Sequence, residues 1–225
     1  MDVTLDSIRY PSLAEHPFFA ELDRLHEKYG ASFSLYLYYR ENSFDVEQVT
    51  RRLKEDFIRR NEWLKLGFHA VQPGFDTLRD GSVDTLRIYL DRTNRAIASF
   101  ADSSNVTKRS RLNRFYASSC QLSLLDSEGF TGLMGADDDR QSYSLSAALN
   151  EKLRKQGKIK YGNMEILRTD LRLEKLLLPE IALEEHAQQD TLTIFTHERE
   201  FGMLNRWKLD RLLELLRGNH PVFLN

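Results

Sequence analysis

Hydrophobic residues recur along this chain at two spacings, and the two spacings alternate from one end to the other. Short runs of aliphatic and aromatic residues indicate strands, whereas apolar residues three and four positions apart indicate amphipathic helices. In residues 16–30, for example, Phe18, Leu22 and Leu25 fall on one helical face, and Gly30 stands where a glycine commonly ends a helix. The pattern therefore predicts a chain that changes repeatedly between strand and helix.

The predicted elements follow one another in strand–helix order. Strands are expected at residues 3–8, 32–39, 64–70, 114–120, 132–139, 163–170 and 191–198. Helices are expected at residues 16–30, 46–64 (capped by Asp45), 76–104, 144–157, 178–189 and 203–218. No linker rich in Gly, Ser or Pro divides the chain, and 225 residues suit one large domain. We therefore expect one α/β domain over residues 1–225, with a parallel sheet that is either doubly wound or closed into a barrel.

Composition and charge narrow the classes of function. The chain has 32 Lys and Arg residues against 34 Asp and Glu residues, well mixed along its length, which argues against a nucleic-acid partner. No apolar run approaches the ~20 residues that span a bilayer, so no membrane partner is expected. The single cysteine, Cys120, excludes an internal disulfide and favours a reducing, cytoplasmic location. The oligomeric state is left open.

Polar side chains end one predicted strand after another. They are Asp6, His69, Ser118, Ser119, Asp137, Asp138, Asp170 and His197. Any one of them can be explained as a polar residue where a strand reaches the surface. Because the C-terminal ends of parallel strands meet at one face, however, the whole set indicates a functional site there. The spacing alone does not identify the reaction.

Four of these strand ends resemble the motifs of the polysaccharide deacetylase family, the NodB-type carbohydrate esterases. Residues 4–8, Thr-Leu-Asp-Ser-Ile, stand where that family has T-F-D-D-G. Residues 66–69, Leu-Gly-Phe-His, resemble the start of its H-x-x-x-H motif. Residues 140–143, Arg-Gln-Ser-Tyr, resemble R-x-P-[FY], and residues 194–197 resemble its last strand, which ends in a histidine. The resemblance implies a single-domain irregular (β/α) barrel.

The resemblance also implies a role for particular residues. By analogy with the family, Asp6 is the catalytic base, His197 the general acid, and His69 a ligand of a divalent metal that polarises the acyl carbonyl. Arg140 would orient the base, supported by a carboxylate such as Asp170. Further contacts to the substrate are expected from three side chains on the same face: Tyr38, Tyr143 and Asp137.

Two departures from the family pattern affect the metal site. Ser7 replaces the metal-binding aspartate, and Pro73 replaces the second histidine. A catalytic zinc is usually held by about three protein ligands, so His69 alone predicts weak zinc binding or none.

A rebuilt site is one alternative. Asp137 or Asp138 could join His69 in an oxygen-rich site that would suit a cation harder than zinc. Equally open is a simpler interpretation, in which residues 137–139 form a solvated turn and Arg140 pairs with them locally.

The leading expectation is a deacetylase-like hydrolase acting on an N-acylated sugar or related amide, with a modified metal site. The alternative is a catalytically silent protein that binds a carbohydrate or glycan without cleaving it. A third possibility is a different metal-dependent barrel hydrolase that shares only the fold.

Overall fold

Helices and strands alternate along the chain in the computed structural model, which describes residues 9–74, 82–187, 189, 191–218 and 221–223. Helices α1–α7 cover Pro17–Tyr29, Lys54–Ile58, Val83–Phe100, Ser119–Ser127, Ala147–Gln156, Pro179–Glu185 and Met203–Arg217. Strands β1–β10 cover Phe33–Tyr38, Arg40–Glu41, Phe44–Asp45, Leu64–Ala70, Arg109–Ser110, Gly132–Met134, Lys158–Tyr161, Met164–Leu167, Leu171–Arg172 and Ile194–Phe195. The class is mixed α/β, as the hydrophobic pattern predicts.

Most neighbouring strands are parallel. Strand β1 pairs with β4, β6 lies between β5 and β8, and β9 pairs with β10, all in parallel register. Two antiparallel pairs complete the set, β2 with β3 and β7 with β8. The C-terminal ends of the parallel strands therefore carry the segments that follow Tyr38, Ala70, Ser110, Met134, Leu167, Arg172 and Phe195.

The prediction of a (β/α) barrel is wrong for the described part of the chain, where the strands form separate sheets of two to four strands and no closed barrel. Between β4 and β5 the backbone ladder is reduced to one bridge, Leu66 to Val106. Beyond that bridge, Ser110 Oγ donates to the Phe68 carbonyl. In the same way, beyond the ends of β6 and β8, Thr169 Oγ1 donates to the Gly135 carbonyl. Side-chain donors satisfy these carbonyls without requiring a continuous sheet.

Several predicted element boundaries are confirmed, and others are corrected. Helices α1 and α5 end at left-handed Gly30 and Gly157, as expected. The expected helix at 46–64 is instead two 3-10 turns followed by α2, although Asp45 does cap the first turn. The expected strand at 114–120 is absent, since Ser118 and Gln121 form a capping box that starts α4. Within the described ranges, no helix is long and apolar enough to cross a membrane.

Strand β4 lies in the interior, with five of its seven residues buried in succession from Leu66 to Ala70. Its glycine permits a close approach by the neighbouring chain segment. A Cβ at Gly67 would lie 2.7 Å from Thr107 Cγ2 and 3.2 Å from Tyr36 Cδ1, both tighter than ordinary van der Waals contact. Gly67 therefore brings β4 close to the segment that leads into β5.

We expect Gly67→Ala to lower the free energy of unfolding by about 1–3 kcal/mol, because the added methyl group overpacks this contact. Adding Thr107→Ser should recover part of the loss, since it removes Cγ2 and keeps the hydroxyl that accepts from the Arg109 N–H. Gly218→Ala is the matched control, because nothing lies within 4 Å of its added Cβ. Urea denaturation of the four proteins measures the difference. Equal stability of Gly67→Ala and Gly218→Ala would contradict the packing argument.

Candidate functional site

His69 is held rigidly near the end of β4. Its side chain is buried, with 8% of the residue exposed, and its Nδ1 atom donates a hydrogen bond to the Arg111 carbonyl. A carbonyl oxygen only accepts, so Nδ1 carries the proton and Nε2 keeps its lone pair. Burial lowers the pKa of His69 to about 4; the hydrogen bond to the Arg111 carbonyl opposes this shift, and the charges of Arg111 and His197 add to it. His69 is therefore a neutral imidazole near pH 7.

A second histidine forms a pair with a carboxylate at the ends of β9 and β10. Glu174 Oε1 accepts hydrogen bonds from the His197 backbone N–H at 2.7 Å, from Thr196 Oγ1 at 2.9 Å and from His197 Nδ1 at 3.3 Å. Burial alone would raise the pKa of Glu174, but these bonds hold it well below its ordinary value. Glu174 is therefore a carboxylate that fixes the segment carrying His197.

The tautomer of His197 follows from this pairing. Arg172 Nη2 lies 3.5 Å from His197 Nδ1, whereas the Glu174 carboxylate lies nearer, at 3.3 Å. A charged acceptor at the shorter distance favours a proton on Nδ1. His197 Nε2 then carries the lone pair, and it makes no hydrogen bond to any described residue.

An arginine at the end of β5 packs against two aromatic rings. The Arg111 guanidinium carbon is 4.1 Å from the Phe195 ring centroid and 4.5 Å from that of Phe115. Arg172 also approaches Phe195, at 5.3 Å. The backbone carbonyl of Arg111 holds His69, so one short strand fixes both groups.

We call this set the histidine–arginine cluster, defined as His69, Arg111, Arg172, Glu174 and His197. Tyr38 adjoins it, with its ring centroid 4.9 Å from that of His69. Burial raises the pKa of Tyr38, so its hydroxyl stays protonated at neutral pH. The cluster thus joins the C-terminal ends of β4, β5, β9 and β10.

An open groove adjoins the cluster. It has a volume of about 310 Å³, and it runs from Glu174 along the start of α7. Met203 and Leu204 in its wall are 88% and 62% exposed, so one side of the groove is apolar. A small ligand beside Glu174 would therefore meet both charged and apolar surface.

The aspartates expected near His69 are engaged by cations. Asp137 has only 2% of its side chain exposed and accepts from Lys175 Nζ at 2.8 Å, with Arg172 Nη1 at 3.7 Å. Burial alone would raise the pKa of Asp137, but Lys175 holds it below its ordinary value. Asp138 accepts from Arg140 Nε at 2.8 Å, the local pairing considered above as the simpler interpretation. Both carboxylates are therefore neutralised within the protein.

These residues do not fit the metal site that the family resemblance implies. In the parts of the chain that the structure describes, no group of three or more His, Cys, Asp or Glu side chains is arranged to hold a metal ion. His69 offers one nitrogen, and Pro73 has no donor in its side chain. Ser7 lies outside the described residues.

The other expected site residues are dispersed. Asp170 lies at the opposite end of the β9–β10 pair from His197, where it accepts from the Thr193 N–H at 2.8 Å, and burial raises its pKa. Tyr143 is in the core, 2% exposed, and its hydroxyl donates to the Met134 carbonyl. Arg140 is half-exposed and pairs with Asp138. Asp6 lies outside the described residues.

Sequence reasoning missed Arg111, Arg172 and Glu174. The signal for Arg172 and Glu174 is the alternation of buried and polar residues, which continues past the predicted strand end at residue 170. Thr169, Leu171 and Leu173 are buried, so the residues between them face the other way. A similar alternation surrounds Arg111, where Ser110 and Leu112 are buried, but the basic composition of residues 108–114 concealed it.

Comparison with known proteins adds no family. No protein-family model matches this chain, and a search of the curated proteins finds no match either.

Proposed function

We propose that the histidine–arginine cluster catalyses hydrolysis of an N-acyl bond in a small ligand, such as an N-acylated sugar or a related amide. The observation that carries this proposal is the Glu174–His197 pair, in which Nε2 of His197 is free. His197 follows β10 and lies near enough to the neutral imidazole of His69, at the end of β4, to act on it electrostatically. Perturbed ionisable groups brought together beside a groove are typical of acid–base sites. The resemblance of residues 66–69 and 194–197 to deacetylase motifs supports the same chemistry.

The chain's own residues supply the proton transfers. His197 Nε2 takes a proton from a water molecule while the water oxygen bonds to the acyl carbon. The same proton then passes from Nε2 to the amide nitrogen as the C–N bond breaks, which yields a carboxylic acid and a free amine. Glu174 keeps Nδ1–H oriented and stabilises the imidazolium between the two steps. His69, being neutral, can accept a hydrogen bond at Nε2 from the water or the ligand.

No step of this proposal passes through a metal, because the described donor set does not fit one. Zinc or a harder cation held through Asp137 or Asp138 would first have to displace Lys175 and Arg140. A cytoplasmic location, a small-molecule partner and the absence of a nucleic-acid partner belong to the same proposal.

Binding without cleavage is the second candidate function. It is favoured by the ion pairs of Asp137 and Asp138, because these pairs occupy both carboxylates. Glu174 is then the one carboxylate of the histidine–arginine cluster that could take part in catalysis. In this case the aromatic and cationic side chains would recognise a glycan, and His197 would serve only as a hydrogen-bonding group.

Release of free amine from a panel of N-acetylated sugars and N-acetyl amides separates the two candidates. Hydrolysis predicts amine release by the wild-type protein in the presence of a chelator, and its loss in His197→Ala. Saturable binding of a panel member with no amine release would instead support the silent protein.

A further inference from the structure

Arg111 donates no side-chain hydrogen bond to any described residue. Its Nε atom is buried and unpaired, and the residue as a whole is half-buried. Burial lowers the pKa of Arg111, which means that the charged guanidinium is held there at a cost. A partly buried charge of this kind usually has a paired anion.

The carboxylate that acts electrostatically on Arg111 is committed elsewhere. Asp137 attracts Arg111 electrostatically, but its own ion pairs are with Lys175, Arg172 and Arg140. Arg172 in turn donates to Glu174 at 3.2 Å. Arg111 is therefore the member of the cluster whose charge the described side chains leave without an ion pair.

The rings of Phe115 and Phe195 both pack against this guanidinium. Two aromatic contacts restrict rotation of the side chain, because a guanidinium stacks on aromatic faces. A planar fork matches the two oxygens of a carboxylate, which can accept two parallel hydrogen bonds. A phosphate group carries more charge than one guanidinium neutralises, and Arg172 is already paired.

We propose that Arg111 binds a carboxylate group of the ligand, so that the N-acylated compound acted on by the cluster is an acid. This inference takes the ligand class from the proposed function, but it concerns binding and is tested without turnover. The ligand would place its carboxylate on Arg111 and its acyl group toward His69 and His197.

A charged and an uncharged version of one small amide provide the test. N-acetylglycine and N-acetylglycinamide share the acyl group and differ in the carboxylate. Titration of the wild-type protein, followed by NMR of its arginine Nε–H and backbone amides, should show N-acetylglycine binding ~10-fold or more tightly than the amide. Equal affinity would overturn the proposal, and so would tighter binding of inorganic phosphate than of N-acetylglycine.

Variants of Arg111 test whether the preference for the acid over the amide depends on this residue. Arg111→Gln should abolish the preference for the acid, and Arg111→Lys, which keeps the charge but loses the fork, should retain only a small part of it.

Arg199→Gln is the matched control, because Arg199 is also near Tyr38 but is 72% exposed. Folding of each variant is checked by circular dichroism. An equal loss of affinity in Arg199→Gln and Arg111→Gln would show diffuse attraction and overturn the proposal.

Discussion

His197→Ala is expected to lower kcat for amide hydrolysis by ~10²–10⁴-fold, the usual contribution of a positioned acid–base group. The fold should survive, because the side chain is a third exposed and its backbone N–H bond to Glu174 remains. Steady-state amine release, with circular dichroism as the check on folding, gives the comparison. Turnover within threefold of the wild-type value would assign the proton transfers to another group.

The companion variant Glu174→Gln tests the positioning role of the carboxylate. The amide keeps an acceptor for His197 Nδ1–H but loses the charge that stabilises the imidazolium. We expect a drop in kcat of about 10- to 100-fold. Glu200→Gln, which changes a half-exposed carboxylate lining the same groove, should leave kcat unchanged. An unchanged kcat in Glu174→Gln would reduce the role of Glu174 to holding the backbone of the segment that carries His197.

The helices were predictable because their signals are local. Gly157 in a left-handed conformation ends α5, as its place after an apolar repeat indicates. The prediction failed where a local pattern has two solutions. Ser118 follows aromatic residues as though it ended a strand, yet with Gln121 it caps a helix. Cys120 consequently lies exposed at the start of α4 rather than in the core.

Barrel closure was not predictable from the pattern, because it depends on hydrogen bonds between strands that are distant in sequence. Strand β10 contains only Ile194 and Phe195, although the apolar run around it suggests a longer strand. Where the ladders stop, hydroxyl groups such as that of Ser110 bond to the neighbouring strand instead. Hydrophobic alternation records which face is buried, and it does not record which strand lies alongside.

Part of the site was predictable for the same reason. Tyr38, His69 and His197 stand at strand ends, and the structure brings the three to one place. Their partners were not predictable, because a carboxylate 23 residues away along the chain leaves no local signature of its pairing with His197. Glu174 becomes visible only when the register of β9 against β10 is known.

The buried imidazole of His69 leads to the second large effect, on stability against pH. In the unfolded chain its pKa is near 6.5, and burial lowers it to about 4 in the folded protein. Between these values the unfolded state binds more protons, so stability is complete above pH 6.5 and is lost as pH falls toward 4. At 1.36 kcal/mol per pKa unit, proton uptake by His69 in the unfolded chain should lower the free energy of unfolding by about 2 kcal/mol at pH 5 and by about 3 kcal/mol at pH 4.

His69→Asn isolates this contribution, because an asparagine amide can donate to the Arg111 carbonyl in place of Nδ1 and does not titrate. Urea unfolding at pH 7 and pH 4.5 should show a smaller loss of stability on acidification in His69→Asn than in the wild-type protein. Titrating carboxylates affect both proteins alike and cancel in the difference. His26→Asn is the control, since His26 Nδ1 also bonds a carbonyl, that of Ala31, but its side chain is only partly buried. If His69→Asn loses as much stability as the wild-type protein, His69 takes up its proton at the same pH in the folded and the unfolded chain, which would contradict the lowered pKa of the buried imidazole.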